Sequence, residues 1–146
     1  MTPETEEAVP RSRNVELIER LFSLSNRCAV QDSAALTELL AIYRPDAEIT
    51  PLREAAAGYG GSPEETIRSY FERISGQCFV WFIYADQLQE HGDRVLALGG
   101  IRTVDRETRE DHETALALMY TVQDGKVAAV EAFSSFADAR VALRAH

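Results

Sequence analysis

Apolar residues recur at helical spacing in the first half of the chain and at strand spacing in the second. From Val15, the positions Leu17, Ile18, Leu21, Phe22 and Leu24 fall on one stripe, which predicts an amphipathic helix capped at Asn14 and ending near Asn26-Arg27. Asp32-Ser33 caps a second helix, with Leu36, Leu39, Leu40 and Tyr43 on one side. That helix must stop before Pro45, because the residue preceding a proline is pushed out of the helical region. Ala47-Glu48-Ile49-Thr50 reads as a short strand closed by Pro51, and 52–61 as a loop containing Gly58, Gly60 and Gly61. Ser62-Pro63-Glu64-Glu65 then sets proline at a first helical position with acids in the first turn. Ile67, Tyr70, Phe71 and Ile74 form the stripe of this third helix, with Gly76 at its end.

From Phe79 the period changes. Residues 79–88 are aromatic and β-branched, Gly92-Asp93 makes a turn, and 94–104 form another long strand in which Gly99-Gly100 marks a bulge or bend. A charged connection, 105–111, leads to the strand 113–122. Asp124-Gly125 then stands between two β-forming runs, the strongest short-range hairpin signal, so 126–133 returns antiparallel. Both strands of that hairpin are nearly continuously apolar, which calls for cover on both faces. Residues 137–143 can add a helical turn or two. The order α-α-β-α-β-β-β-β, with helices gathered at one end, predicts an α+β domain over 14–146 behind a disordered leader at 1–13.

Composition narrows the function classes. The 146 residues are 45% hydrophobic with a net charge of −9, enough for one core and contrary to the Lys/Arg-rich surfaces that nucleic acids and anionic membranes reward. Cys28 and Cys78 show no metal-ligand spacing with the three histidines and read as buried thiols. No apolar run has the length of a signal peptide or membrane span, so the expected location is cytoplasmic, without membrane or nucleic-acid partners.

Several stretches together resemble the nuclear transport factor 2-like superfamily, in particular its SnoaL-like, polyketide cyclase-like branch. They are the 26–40 link between the first two helices, Pro45-Asp46-Ala47-Glu48-Ile49, Tyr59-Gly60-Gly61, Gly92-Asp93-Arg94-Val95, and the run from Asp124 to Phe133. The resemblance spans about 15–143. It implies a cone: three helices against a strongly curved, mixed but mainly antiparallel sheet, with an apolar pocket inside and commonly a homodimer through the outer sheet faces. Activities in the family range from cyclases, isomerases, epoxide hydrolases and dehydratases to domains with no catalysis, so the fold alone does not fix the chemistry.

The family's acids are missing where the resemblance would place them. The general-base aspartate of ketosteroid isomerases, just before a proline after the first strand, corresponds to Thr50. The oxyanion-donating tyrosine of the first helix corresponds to Leu21, and the protonated acid of the hairpin strand, the position of the cyclases' aspartate too, to Leu118. The late aspartate of epoxide-hydrolase-like members corresponds to Ser135.

Taking Leu118 as inward, strand alternation selects His112, Thr114, Leu116 and Tyr120 on its own strand, Ala128, Val130 and Ala132 on the next, Leu96, Leu98 and Arg102 on the strand before, and Phe79, Trp81 and Ile83 before that. Leu21, Tyr43, Tyr70 and Phe71 close the cone from the helices, with Thr50 beside them and Tyr59 at the loop rim. Such a lining suits a flat hydrophobic molecule. His112 as general base and Arg102 as anion holder, with Tyr43 or Tyr120 assisting, would support isomerisation, cyclisation or dehydration of a polyketide- or steroid-like compound without cofactor or metal. The alternative is a non-catalytic ligand-binding or dimerisation module. In that reading His112 lies exposed among Glu110, Asp111 and Glu113, with Arg102 at the surface. A bulge at Gly99-Gly100 would also turn Arg102 outward. A further alternative is a structural partner that uses the outer face around Ala129, Glu131 and Phe133.

Overall fold

The computed structural model describes residues 12–29, 32–50 and 62–145. The elements are α1 (Arg13–Cys28), α2 (Ser33–Ile42), β1 (Tyr43–Thr50), α3 (Pro63–Gln77), β2 (Cys78–His91), β3 (Arg94–Asp105), β4 (Asp111–Gln123), β5 (Lys126–Phe133) and α4 (Phe136–Arg144). They form one five-stranded sheet in the order β1-β5-β4-β3-β2. The pairs β2–β3, β3–β4 and β4–β5 are antiparallel, and only β1 runs parallel to its neighbour β5. The class is α+β, as the order of apolar patterns predicts.

Local chemistry sets the element ends. The Ser12 hydroxyl accepts from the Val15 amide at 3.0 Å, so the cap lies at Ser12 and α1 starts before Asn14, which is itself helical. Asp32 accepts from the amides of Ala34 and Ala35 and caps α2. Ser62 and Glu65 form a reciprocal capping box at α3, with Pro63 in its first turn. Gly76 is absorbed near the end of α3 rather than terminating it. At Asp124 and Gly125, φ is +55° and +77°, the left-handed pair that a tight hairpin turn requires.

Helix α2 gives way to β1 with no intervening loop. Pro45 cannot continue the helix and Tyr43 is already extended, φ −90° and ψ 144°, while its amide still donates to Leu40. Tyr43 is therefore the first strand residue rather than part of the helical stripe. The loop 51–61, and with it Tyr59, lies outside the described residues, as do most of the leader positions.

Helices and sheet enclose two apolar clusters. The inner one joins Ile18, Leu21, Phe22 and Leu39 of α1 and α2 to Val95, Ala97, Tyr120 and Val127 of the sheet. The outer one packs α4, through Ala139 and Leu143, on Leu96, Leu98, Ala117 and Met119. The stretch 137–143 is thus a full nine-residue helix capped by Ser135, which accepts from the Asp138 amide. Arg94 ties its far end down by donating to the Ala142 carbonyl at 2.8 Å.

The bend expected at Gly99-Gly100 arises on the neighbouring strand. Ala85 pairs with Gly99 but Gln87 with Leu98, so the extra residue is Asp86 of β2. Gly99 is required there, because a Cβ would collide with the Tyr84 carbonyl. Gly100 leaves room for the Tyr84 ring, whose hydroxyl donates across β3 to the Glu113 carboxylate. Among the described residues no helix is long and apolar enough to cross a membrane.

Candidate functional site

Between the three N-terminal helices and the concave side of the sheet lies a cavity of about 340 Å³. This is the lower part of the range usual for small-molecule sites, roughly 300–1,000 Å³. Its helical wall is made by Leu21 and Ser25 of α1, Leu39 of α2, and Ile67, Tyr70 and Phe71 of α3. Trp81 and Ile83 of β2, Ile101 of β3, and Leu116, Leu118 and Tyr120 of β4 form the sheet wall. Val130 and Ala132 of β5 continue it, and Tyr43, Ile49 and Thr50 of β1 close the side.

The lining is aromatic and apolar for identifiable reasons. Phe71 stacks on the Trp81 ring, centroids 5.4 Å apart and planes 22° from parallel, and Tyr70 tilts against Phe71 at 5.7 Å. Phe71 of α3 thereby stacks on the indole of β2, and Tyr70 leans on Phe71 with its plane 57° away. Trp81 is 4% exposed, and its indole N–H lies 3.4 Å from the Ser75 hydroxyl.

The polar lining groups are hydroxyls, together with the Trp81 indole. They belong to Ser25, Tyr43, Thr50, Thr66, Tyr70, Thr114 and Tyr120. Ser25 spends its hydrogen on the Leu21 carbonyl at 2.9 Å within its own helix. Burial drives the Tyr43 phenol far above the ordinary tyrosine range. Tyr120 is raised as well, by burial first and by nearby Tyr43 and Tyr70 second. Among the described residues the cavity has no carboxylate, imidazole, ammonium or guanidinium on its wall, and no group of three or more potential ligands stands ready for a metal ion.

The structure brings Leu21, Tyr43, Thr50, Tyr70, Phe71, Trp81, Thr114, Leu118, Tyr120 and Val130 together around this space. It places other candidates elsewhere: Phe79, 53% exposed, and Ala128 are not among the lining residues. Leu96 and Leu98 are buried in the outer cluster under α4, on the opposite face of the sheet. Arg102 stands on that outer face too, paired across the strands with Phe82 and Glu113. The cause is register: Ala97, not Leu98, lies opposite Leu118, so Ala97 and Ile101 carry the inward parity. The β3–β4 pairing runs unbroken past Gly99 and Gly100, and Arg102 faces outward without any bulge in its own strand. His112 keeps the inward parity but sits at the sheet's end beside Thr103, its side chain 57% exposed and its Nε2 3.6 Å from Glu110. It is not among the lining residues.

Ser25, Leu39, Ile49, Thr66, Ile67 and Ile101 were not anticipated as lining. Ser25 follows Leu21 by one helical turn and was open to pattern reasoning, whereas Ile49, next to Thr50 at the end of β1, runs against strand alternation. Ile101 depended on the strand register.

No family model matches the chain, and no curated protein matches it. Solved structures do. An NTF2-like protein of unknown function from Burkholderia pseudomallei K96243 superposes with a TM-score of 0.70 at 16% identity, covering 93% of this chain and all, 100%, of that one. TerC, co-crystallised with polyporic acid, gives 0.69 at 17% identity over 92% of this chain and 100% of its own. A putative SnoaL-like polyketide cyclase from Jannaschia sp. CCS1 gives 0.65 at 15% identity, over 94% and 98%. Element order, sheet topology and these superpositions together establish that the chain has the cone-shaped fold of the NTF2-like proteins and SnoaL-like polyketide cyclases.

Proposed function

We propose that the protein binds a small, uncharged, largely apolar molecule in the cavity between α1–α3 and the sheet. The observation that carries this reading is the wall itself: about 340 Å³ of space bounded by aromatic and aliphatic side chains, with hydroxyls as its main polar groups among the described residues. An ion buried there would face a large desolvation cost with no opposite charge to offset it. The stacked pair Phe71–Trp81 offers a flat surface to a planar ring. That a solved structure of similar fold was co-crystallised with a small molecule, polyporic acid, agrees with a small-molecule occupant of the cone, though not with its charge state.

Acid/base turnover of a polyketide- or steroid-like compound is the rival reading. It needs a proton acceptor at the reacting atom. His112 and Arg102 stand at the sheet end and on the outer face, so the cavity favours binding over isomerase, cyclase or dehydratase chemistry by that pair. The test is native mass spectrometry against a panel of neutral polycyclic and polyketide-like compounds, on wild type, His112→Ala and Arg102→Ala. Binding without change of ligand mass, equal in all three, is expected. A ligand mass that shifts with time in wild type but not in either variant would overturn the binding assignment.

We propose further that two copies associate through the outer sheet face. With α4 over one part of that face, around Phe133, the uncovered part is at Val80 and Phe82, 50% and 49% exposed, beside Arg102 and Glu113. A two-fold arrangement would set each arginine against the partner copy's carboxylate. Sedimentation of wild type and Phe82→Glu decides this: a dimer converted to monomer supports it, and a monomeric wild type removes it.

A further inference from the structure

The last turn of a helix leaves its carbonyls without partners inside the helix. At the end of α3, a residue distant in sequence supplies them. Arg106, on the connection between β3 and β4, donates through Nη2 to the Ser75 carbonyl at 2.7 Å and to the Cys78 carbonyl at 3.2 Å. Its main-chain N–H donates to the Gln77 carbonyl at 3.0 Å. Arg109 of the same connection lays its guanidinium on the Phe79 ring, 4.1 Å from the centroid. The connection is itself tightly wound. The Asp105 carboxylate accepts from the amides of Glu107 and Thr108 at 2.8 and 2.9 Å, and the Asp105 carbonyl from the Arg109 amide at 2.9 Å. The charged run between these strands therefore clamps residues 75–79.

The clamped segment is an elbow. Helix α3 ends at Gln77 and β2 begins at Cys78 with no loop between them, and Cys78 is already extended, φ −115° and ψ 137°. Phe71 lies one turn before Ser75 on the helical arm, and Trp81 stands on the strand arm, so the angle of the elbow decides whether their rings meet. They meet stacked, centroids 5.4 Å apart. The Trp81 indole N–H also lies 3.4 Å from the hydroxyl of Ser75, the residue whose carbonyl Arg106 holds. Arg106 itself is exposed and does not line the cavity. Resting on the binding reading above, we infer that Arg106 is a positioning residue for the site: by fixing the α3–β2 elbow it keeps Phe71 stacked on Trp81, and so fits the cavity to flat rings over puckered ones of the same skeleton.

Naphthalene and decalin share one fused-ring carbon skeleton, flat and aromatic in the first and puckered and saturated in the second, and both are neutral. Equilibrium dialysis would measure each against wild type, Arg106→Met and Arg106→Lys. Trp81 is the single tryptophan of the chain, so its fluorescence reads the stacked pair directly. Arg106→Met keeps the length of the side chain and loses its donors. It is expected to lower the ratio of naphthalene to decalin affinity about three-fold or more, the order of one aromatic pair, and to move Trp81 emission to longer wavelength. Arg106→Lys, with an ammonium in place of the fork, should fall between. Decalin binding held at the wild-type level shows that a variant has folded. A ratio unchanged in Arg106→Met, whether both affinities hold or fall together, or an emission spectrum identical to wild type, would overturn the inference and leave the apolar site standing. If Arg106→Met does not fold, the ratio and emission of Arg106→Lys decide by the same criteria. Failure of wild type to bind either hydrocarbon would remove the binding reading itself and the inference with it.

Discussion

The side-chain amide of Asn26 on α1 grips the main chain of Ile83 on β2 with both of its polar atoms. Oδ1 accepts from the Ile83 N–H and Nδ2 donates to the Ile83 carbonyl, each at 2.8 Å. Strand β2 is an edge of the sheet, so without this contact the two groups would have no strand to pair with. The amide acts as one residue of a missing strand and hangs α1 on the sheet. Asn26→Leu should cost about 1–3 kcal/mol, the usual range for part-buried groups left unsatisfied. A urea melt followed by circular dichroism checks this, and Asn26→Asp, which keeps the acceptor but loses the donor, should fall between.

Two glycines predict opposite outcomes for the same substitution. Gly99→Ala drives a methyl into the Tyr84 carbonyl and the Ala85 backbone, neither of which can rotate away. It should lower stability by about 1–3 kcal/mol or more, as over-packing does. Gly76 has nothing within 4 Å of where a Cβ would stand, and it lies in α3. Gly76→Ala should therefore raise stability by about 0.5–1 kcal/mol. Thermal melts of the two variants beside wild type read both signs.

Alkaline pH should unfold the protein earlier than its acidic composition alone implies. The unfolded chain releases a tyrosine proton near the ordinary value of 10.0, whereas burial holds the Tyr43 and Tyr120 protons to higher pH in the folded chain. Each phenol contributes stability that is complete below that ordinary value and is lost as the pH rises above it, at up to about 1.4 kcal/mol per pH unit. Denaturant midpoints between pH 8 and pH 11, roughly either side of that value, should fall more steeply in wild type than in a Tyr43→Phe, Tyr120→Phe double variant.

Ala132 lines the cavity from β5, opposite Leu118 on β4. A phenylalanine at this position would occupy the ligand's space. Ala132→Phe should weaken binding of any neutral ring compound by about ten-fold or more, while its melting temperature stays close to that of wild type because the ring enters a void rather than a packed core. Dialysis and a melt on one preparation separate the two effects.

How far the sequence could be read depended on the range of the interactions involved. Helix starts at Asp32 and Ser62-Pro63, the stop forced by Pro45 and the hairpin at Asp124-Gly125 are written in neighbouring residues, and the structure has all of them. The inward face of β4 also followed from alternation along a single strand, which brought Thr114, Leu118 and Tyr120 to one cavity. The face of β3 did not, because parity carried from one strand to the next depends on which residues sit opposite each other. One residue of register separates Ala97 from Leu98, and it moved Leu98 and Arg102 from the cavity to the outer face. The nine-residue length of α4, and its place over Leu96 and Leu98, likewise depended on contacts between strands and a helix distant in sequence.

The parallel pairing of β1 with β5 joins Ile49 to Val130, whereas every other strand pair is made between consecutive strands. Closing so long a loop is entropically costlier than forming a hairpin, and such pairings are slow to form. The hairpin strands can therefore assemble as a local unit, and β1 is expected to dock on them afterwards, bringing Tyr43, Ile49 and Thr50 to complete the cavity wall. The cavity comes into existence with that pairing, so capture of the proposed ligand during refolding would time the closure of the fold itself.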